Sequence, residues 1–445
     1  MAALKGGYRF RLFEGTPEGT VAAHRVGGRV VVPLAQGEGY AALPVVSPGD
    51  AVAAGQVIGT PPAQVGSPVH APIDGVVREL AVKARAKQPW AIVIERDAGK
   101  AAPPAPDTRC EWTAAAPEAL AEALTHAGVA ALVPGGMIAP GLARVLVAVC
   151  VHTAPLLPRA GAVYAGREND LVTGGRILAK ALGAQELCFA VGRRDRAFAA
   201  ALAGGGAPRV AAIDEVYPGE HPKLLARAVA GGAADVVCVS GRAALAAYDA
   251  AVKGAALINV RLCLGGAGLA RPAIVDARVG TPLGELCADR LAPGREVRYV
   301  AGNFLTGVAV PPEHPVTRDL ECVSVLPEDR ERRFLEFMRP GARKDSYGRT
   351  FLAAFLKRPL AGDTNLHGEL RPCINCGWCE DVCPVGLMPD LLMKLLRIDQ
   401  GEEAEALALM DCIECGLCSY VCPSKLPLHE ELARGKRAVR EELAQ

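Results

Sequence analysis

The chain has 445 residues, a length typical of two to four domains. Its 49 basic and 48 acidic side chains give a formal net charge of +1, which lacks the basic excess of nucleic-acid-binding proteins. The least charged long stretch, residues 129–151, is interrupted by Pro134, Pro140 and Arg144. It therefore predicts a buried loop and strand, not a membrane-spanning helix. The first fifteen residues contain no apolar core of signal-peptide length, so we expect a cytoplasmic chain.

Residues 1–98 form the first predicted domain, a lead-in followed by short β-rich segments separated by Gly, Pro and Asp turns. The segments PGDAVAAGQVIG and VHAPIDGVV resemble the two halves of a biotinyl- or lipoyl-type barrel-sandwich hybrid. In carrier domains of that type, a modified lysine lies on the hairpin between the halves. Residues 60–72 contain no lysine, so we expect the fold without the carrier function.

An Ala- and Pro-rich linker is predicted at residues 99–112, and an α/β domain at 113–254. Within the domain, helical patterns such as PEALAEALTHAG alternate with apolar strand patterns such as RVLVAVCVHTA and ELCFAVGR. This alternation predicts a mainly parallel sheet covered by helices.

Residues 255–325 have a strand–turn–strand pattern and predict a second β-rich domain. Within it, GGAGLA at 265–270 lacks the spacing of a dinucleotide-binding loop, and Pro272 follows where a helix would have to begin. We therefore interpret GGAGLA as a turn between strands. Residues 326–366 predict a helical connector whose basic and aromatic side chains form either a docking surface or an ordinary amphipathic helix.

Eight of the 15 cysteines lie between residues 373 and 422, in two copies of the pattern C-x2-C-x2-C-x3-C-P. This is the pattern of bacterial ferredoxins with two [4Fe–4S] clusters, in which the fourth cysteine of each motif ligates the other cluster. We therefore predict two [4Fe–4S] clusters with exchanged fourth ligands. The first cluster is assigned to Cys373, Cys376, Cys379 and Cys422, and the second to Cys412, Cys415, Cys418 and Cys383. Two zinc sites are the alternative, although zinc ligands usually come as two separated pairs.

The residues between the two motifs read as two short helices that are broken at Gly401. Small ferredoxins separate their motifs with strands, so residues 367–445 predict an α-helical ferredoxin-like domain. His367 is the one histidine near the first motif, and we interpret it as a solvated loop residue or a hydrogen-bond donor near the cluster.

A flavin or nucleotide site on this chain has only weak candidates, Gly135 and Gly136 in the loop LVPGGMIAPG. A phosphate cradle uses backbone N–H groups at a helix N-terminus. Pro134 and Pro140 each remove one such donor, so the loop does not support FMN or NADH binding. We assign no catalytic residue.

The order of these units resembles the family that joins RnfC, the C component of Rnf electron-transport complexes, with NqrA, the A component of the sodium-translocating NADH:quinone reductase. VYAGREND at 163–170, residues 331–360 and HGELRP at 367–372 are most similar to NqrA. The eight cysteines are similar to RnfC, whereas the Gly-rich loop and the acidic stretch that RnfC associates with flavin and NADH have no counterpart at 132–141 and near 150–157. The chain resembles an NqrA body with Rnf-type clusters.

The resemblance implies multidomain α+β and α/β architecture, with an SLBB-like β-grasp unit at 255–325. It implies a peripheral electron-transfer component on the cytoplasmic side of the cell membrane, without a transmembrane span. Its partners would be membrane-embedded and flavin-carrying subunits, with quinone, ferredoxin or NADH reached through them. Two alternatives remain open, namely a self-contained FMN- and NADH-dependent dehydrogenase and a soluble redox adaptor for another reductase.

Overall fold

A computed structural model describes residues 5–19, 21–63, 65–83, 88–97, 107, 109–231, 235–331, 359–360, 362–366 and 369–443. Most of the predicted helical connector, and His367, lie outside these residues. Among the described residues, no helix is both long enough and apolar enough to cross a membrane.

The N-terminal part of the chain is built from short strands rich in β-branched residues, which favour the pleated backbone. The strands are β1 (Ala22–Ala23), β2 (Arg29–Pro33), β3 (Leu43–Pro44), β4 (Ala51–Val52), β5 (Val57–Thr60), β6 (Val69–His70), β7 (Gly75–Val82) and β8 (Pro89–Glu95). Strands β2, β8, β7 and β4 form one antiparallel sheet, and β3, β5 and β6 form a second. Alternate residues such as Val30, Val32, Ile92 and Ile94 are fully buried. Residues 91–94 of β8 are all buried, so both faces of this strand are covered.

The middle of the chain alternates helices with parallel strands, as the sequence predicts. The elements are α1 (Pro117–His126), β9 (Val145–Cys150), α2 (Ala160–Val163), α3 (Glu168–Leu182), β10 (Glu186–Gly192), α4 (Arg196–Gly204), β11 (Val210–Ile213), α5 (Pro222–Ala230), β12 (Val236–Ser240) and α6 (Gly241–Lys253). The strand order is β11-β10-β9-β12, and every pair is parallel. Strand β9 is apolar throughout because helices cover both faces of the sheet. Residues 129–151 contain a buried 3-10 turn, Val129–Leu132, and the buried strand β9, as predicted, but the loop between them is mostly exposed and not buried as expected.

A six-stranded mixed sheet follows, in the order β1-β14-β13-β17-β15-β16. Its elements are β13 (Asn259–Gly265), β14 (Ala273–Arg278), α7 (Leu283–Cys287), β15 (Val297–Ala301), β16 (Val308–Val310) and β17 (Cys322–Pro327). Strands β13 and β14 are antiparallel neighbours, so GGAGLA lies in the turn between them, as predicted. Gly266 has a φ of 117° in this turn, a backbone conformation that favours glycine. Strand β17 extends two residues past the predicted domain boundary at residue 325.

The first sheets and this mixed sheet share one apolar core. Val30 and Ile92 of the N-terminal strands belong to the same buried cluster as Leu262 and Val275. The lead-in residues Ala22 and Ala23 also pair with β14, in parallel register. The two β-rich parts therefore pack as one body.

The described residues from 369 to 443 contain helices and no strands. The helices are α8 (Trp378–Asp381), α9 (Pro389–Leu396), α10 (Gly401–Ala406), α11 (Leu417–Val421) and α12 (Leu428–Leu443). Leu392, Leu409 and Leu432 are almost fully buried in their common core. The predicted pair of spacer helices is confirmed as α9 and α10, and Gly401 is the first residue of α10.

Candidate metal centre

The two cysteine motifs fold in the same way. In each motif the residue before the second cysteine has positive φ, 50° at Asn375 and 54° at Glu414. A glycine with positive φ follows the second cysteine, Gly377 at 74° and Gly416 at 79°. Each glycine caps the N-terminus of a short helix, α8 or α11, that carries the third cysteine. Repeated left-handed residues bend the backbone into a tight loop, which turns successive thiols toward the same side.

The first group of thiols surrounds a cleft between the motifs. Cys373, Cys376, Cys379 and Cys422 all line this cleft, together with Asp390 from α9. Cys422 belongs to the second motif, so the cleft takes three cysteines from one motif and one from the other. Cys376 is exposed and Cys379 is buried, so one side of the cleft faces solvent.

The second group consists of Cys412, Cys415 and Cys418 of the second motif with Cys383 of the first. Burial raises the pKa of each of the three second-motif thiols, and the proximity of Cys383 raises it further. Burial raises the pKa of Cys415 to about 12. None of these four cysteines is exposed, so the second group is better shielded from water than the first.

Backbone N–H groups point at the sulfur atoms in both groups. The N–H of Asn375 donates to Cys373 Sγ over 3.4 Å, and the N–H of Glu414 donates to Cys412 Sγ over 3.4 Å. The N–H of Leu387 donates to Cys383 Sγ over 3.3 Å. Such donors stabilise negative charge on sulfur, whether the sulfur is a free thiolate or a metal ligand.

The described part of the chain contains no group of three His, Cys, Asp or Glu side chains arranged to hold a single metal ion. The remaining cysteines lie away from the two groups. Burial raises the pKa of Cys238 to about 11 and that of Cys263 to about 12, so both remain thiols at neutral pH.

The N-terminal segment, residues 6–14, holds the second cysteine group against the body of the protein. The N–H of Gly7 donates to the carbonyl of Val382 over 2.8 Å, next to Cys383. Tyr8 and Tyr217 form an isolated β-bridge, and the Tyr217 hydroxyl donates to the carbonyl of Cys415 over 2.7 Å. These contacts join residues that are far apart in the chain, which is why the sequence did not predict them.

Aromatic side chains fill the space between this segment and the second motif. The rings of Phe10 and Tyr420 have centroids 5.1 Å apart, and those of Tyr8 and Tyr420 are 5.6 Å apart. Phe10 also contacts the ring of Tyr217 with an edge-to-face geometry at 5.7 Å. Edge-to-face pairs contribute about 0.5–1.5 kcal/mol each beyond the area they bury. The aromatic cluster therefore fixes the distance between the second cysteine group and the α/β part of the chain.

The glycines considered for flavin or nucleotide binding, Gly135 and Gly136, lie in a short 3-10 turn, Pro134–Gly136. A Cβ atom on Gly136 would lie 2.7 Å from the Cα atom of Gly39, and the Gly136 carbonyl accepts a hydrogen bond from the N–H of Gly66 over 2.9 Å. Close packing against the N-terminal β region explains Gly136. Gly135 has no described atom within 4 Å of such a position.

The carboxyl edge of the parallel sheet, between β9 and β12, is where open α/β sheets usually bind ligands. Side chains of the protein pack around this edge. The Thr153 hydroxyl donates a hydrogen bond to the buried carboxyl group of Glu220, and His152 Nδ1 lies 3.1 Å from the carbonyl of Pro158. Burial raises the pKa of Glu220 to about 7, and the Thr153 hydroxyl opposes this rise. Sequence reasoning missed Glu220, because no motif surrounds it.

We expect Glu220 to make stability depend on pH. The Glu220 carboxyl group is more acidic in the unfolded chain, where its pKa is about 4.5, so the folded chain holds an extra proton between pH 4.5 and 7. The free energy of unfolding should therefore fall by about 2–3 kcal/mol as the pH rises through that window. Urea unfolding of wild type and Glu220→Gln from pH 4.5 to 8 measures this. Glu220→Gln should lose that part of the pH dependence. If the free energy of unfolding depends on pH identically in both proteins, Glu220 is not its source.

Two segments of the chain, one near each end, match models of known protein families. Residues 6–99 match the RnfC barrel sandwich hybrid domain, and residues 372–426 match the 4Fe-4S dicluster domain. The C component of the ion-translocating oxidoreductase complex of Pseudomonas aeruginosa is 31% identical over 449 residues, covering 93% of this chain and 52% of that protein. The chain is therefore similar to RnfC over most of its own length.

Relatives named as the A component of the Na(+)-translocating NADH-quinone reductase match a shorter part of the chain. The protein from Pasteurella multocida is 34% identical over 149 residues, 33% of either chain, and that from Serratia proteamaculans is 34% identical over 152 residues, 34% of either chain. The predicted family is confirmed. Among these three relatives, the similarity to RnfC is the wider one, so the closer likeness to NqrA expected from the sequence does not extend over the whole chain. The chain spans about half the length of this Rnf relative and a third of the Nqr relatives.

Solved structures with a similar backbone include an NAD+-reducing [NiFe]-hydrogenase in its H2-reduced state. It has a TM-score of 0.45 and 15% sequence identity, and the match covers 74% of this chain and 67% of that chain. The family models complete the description of the fold: a mixed α/β multidomain chain with a barrel-sandwich hybrid domain and a C-terminal helical 4Fe-4S domain.

Proposed function

We propose that the chain is an iron–sulfur electron-transfer component of a membrane-bound, ion-translocating oxidoreductase complex of the Rnf and Nqr type. The observation that carries this proposal is the pair of thiol groups, each made of three cysteines from one motif and one from the other. The match to a 4Fe-4S dicluster domain over residues 372–426 supports it, as does the similarity to RnfC.

In this proposal the chain holds two [4Fe–4S] clusters with exchanged fourth ligands. Cys373, Cys376, Cys379 and Cys422 would hold the first, and Cys412, Cys415, Cys418 and Cys383 the second. The donor sets fit the group, because cubane clusters are ligated by four thiolates. The N–H groups aimed at Cys373, Cys412 and Cys383 add the hydrogen bonds to sulfur that such sites use.

Each cluster, when bound, supplies one-electron transfer at a potential set by its surroundings. The chain's own residues hold the sulfur ligands in place and exclude water from the second group. The open side of the first cleft, beside the exposed Cys376, gives a one-electron carrier a short path to the first group. The second group lies against the N-terminal segment and Tyr217. The two groups thus connect a solvent-facing side with the body of the protein.

We also propose the domain organisation expected from the sequence. It comprises residues 1–98, a linker at 99–112, the α/β unit at 113–254, an SLBB-like β-grasp unit at 255–325, a connector at 326–366 and the cluster domain at 367–445. The strand order of the mixed sheet and the short helix α7 between β14 and β15 support a β-grasp arrangement. The partners would be membrane-embedded and flavin-carrying subunits, with this chain peripheral on the cytoplasmic side.

Purification of the tagged full chain from its native membranes in mild detergent tests this assembly. The proposal predicts that the chain is recovered together with multi-span membrane proteins and a flavin-linked protein. Recovery of the chain alone would favour a soluble redox adaptor. An FMN bound to the chain alone, together with NADH oxidation by an artificial acceptor, would favour the self-contained dehydrogenase.

A further inference from the structure

A lysine–carboxylate ion pair lies beside each cysteine group. At the first group, Lys394 Nζ lies 3.2 Å from Asp390 Oδ2 and donates to Asn375 Oδ1 over 3.0 Å. At the second group, Lys436 Nζ lies 2.6 Å from Glu414 Oε1 and donates to the carbonyl of Cys412 over 2.6 Å. Asn375 and Glu414 occupy equivalent positions in the two motifs. Each lysine therefore contacts the same position of its motif, although the two lysines and the two carboxylates come from different places in the repeat.

The two pairs differ in which partner is less exposed. Beside the first group, the side chain of Asp390 is 20% exposed and that of Lys394 is 46% exposed. Beside the second group the order is inverted, since Lys436 is 5% exposed and Glu414 is 39% exposed. Asp390 itself lines the first cleft.

Solvent screens an exposed charge more strongly than a buried one. The less exposed member of each pair therefore dominates the local field, which is negative at the first group and positive at the second. Reduction adds one negative charge to an iron–sulfur site, so a buried cation favours reduction and a buried anion opposes it. The deeper burial of the second group acts against reduction there, because a low dielectric disfavours added charge. Lys436 offsets that cost.

We infer that Lys436 raises the reduction potential at the second cysteine group and Asp390 lowers it at the first, so that a shared electron rests on the second group. The inference rests on the proposed function, because it requires both clusters to be present. It makes the pair of groups directional: the solvent-facing first group passes an electron inward to the second. Lys436 is a positioning charge and is not itself a ligand.

A redox titration of the full, anaerobically purified chain, followed by electron paramagnetic resonance, tests this inference. In Lys436→Gln, the reduction potential of the higher-potential couple should fall. At a fixed applied potential the ratio of reduced to oxidised clusters should drop about tenfold, which corresponds to a shift of about 59 mV for a one-electron couple. Asp390→Asn should shift the other couple upward. Lys394→Gln removes the more exposed partner of Asp390 and leaves that carboxylate uncompensated, so it should shift the other couple downward and leave the higher-potential couple in place.

If Lys436→Gln does not fold or does not bind its clusters, the variant Glu414→Gln tests the same inference. Removing the exposed carboxylate leaves Lys436 uncompensated, so the higher-potential couple should move upward. Unchanged potentials in Lys436→Gln or Glu414→Gln, or a shift confined to the lower couple, would overturn the inference while leaving the proposed function intact. A wild-type chain without iron and acid-labile sulfide would instead overturn the proposed function, and the inference with it.

Discussion

Replacing Cys383 by alanine should remove half of the iron and acid-labile sulfide from the full chain, and replacing Cys415 as well should remove no more. The reason is that Cys383, although it belongs to the first motif, lies with the thiols of the second. Loss of one thiolate leaves a four-thiolate site with three ligands. Iron and sulfide analysis of the Cys383→Ala and Cys383→Ala/Cys415→Ala proteins measures this.

Two double variants distinguish an arrangement in which the motifs exchange their fourth cysteines from one in which each motif supplies all four ligands of its own cluster. Under exchange, Cys383→Ala/Cys376→Ala damages both groups and should lose nearly all iron. Without exchange, that same double variant would keep half of the iron, and Cys383→Ala/Cys415→Ala would lose nearly all of it. Cys287→Ala, at a buried cysteine of α7, is the matched control and should keep full iron content.

A Gly6→Val substitution should detach the second cysteine group from the body of the protein. Gly6 has a φ of 73°, and a Cβ atom there would lie 2.5 Å from the carbonyl oxygen of Cys383. The side chain would meet backbone, which has nowhere to move without shifting Cys383. Backbone strain and steric overlap together should cost about 3 kcal/mol or more in the free energy that docks the N-terminal segment.

Limited proteolysis and the rate of iron loss to a chelator measure that docking. Gly6→Val should be cleaved faster between the body and the cysteine region, and should lose iron from the second group first. Gly19→Val is the matched control, because Gly19 also has positive φ, 101°, but no described atom lies within 4 Å of its Cβ position. If Gly6→Val and Gly19→Val are cleaved and lose iron at equal rates, backbone strain alone explains the effect and the contact with Cys383 is unimportant.

Local patterns predicted much of the fold. Helix α1 and strands β9 and β10 were predicted because their apolar residues repeat with the period of a helix or fill a buried strand. The turn at residues 265–270 and the helical spacer after residue 386 followed from Gly and Pro positions and from helical periodicity. The repeated cysteine pattern identified all eight thiols that the structure gathers into two groups.

Contacts between distant segments were not predictable from such patterns. Gly6 and Cys383 are 377 positions apart, and Tyr217 reaches Cys415 across a separation of 198. Lys436 is one of several basic residues of helix α12, and the packing of α12 against the second motif buries it. Glu220 follows no motif, and its raised pKa arises from burial, which depends on the tertiary structure. A single sequence contains no signal for these effects.

The metal and sulfide content of the full chain tests the central claim most directly. Anaerobically purified protein should contain about eight iron atoms and about eight acid-labile sulfides per chain, in equal amounts. After reduction it should give the electron paramagnetic resonance signals of two interacting [4Fe–4S] clusters. About two zinc ions per chain, with neither iron nor sulfide, would contradict the account and would identify the two cysteine groups as structural zinc sites.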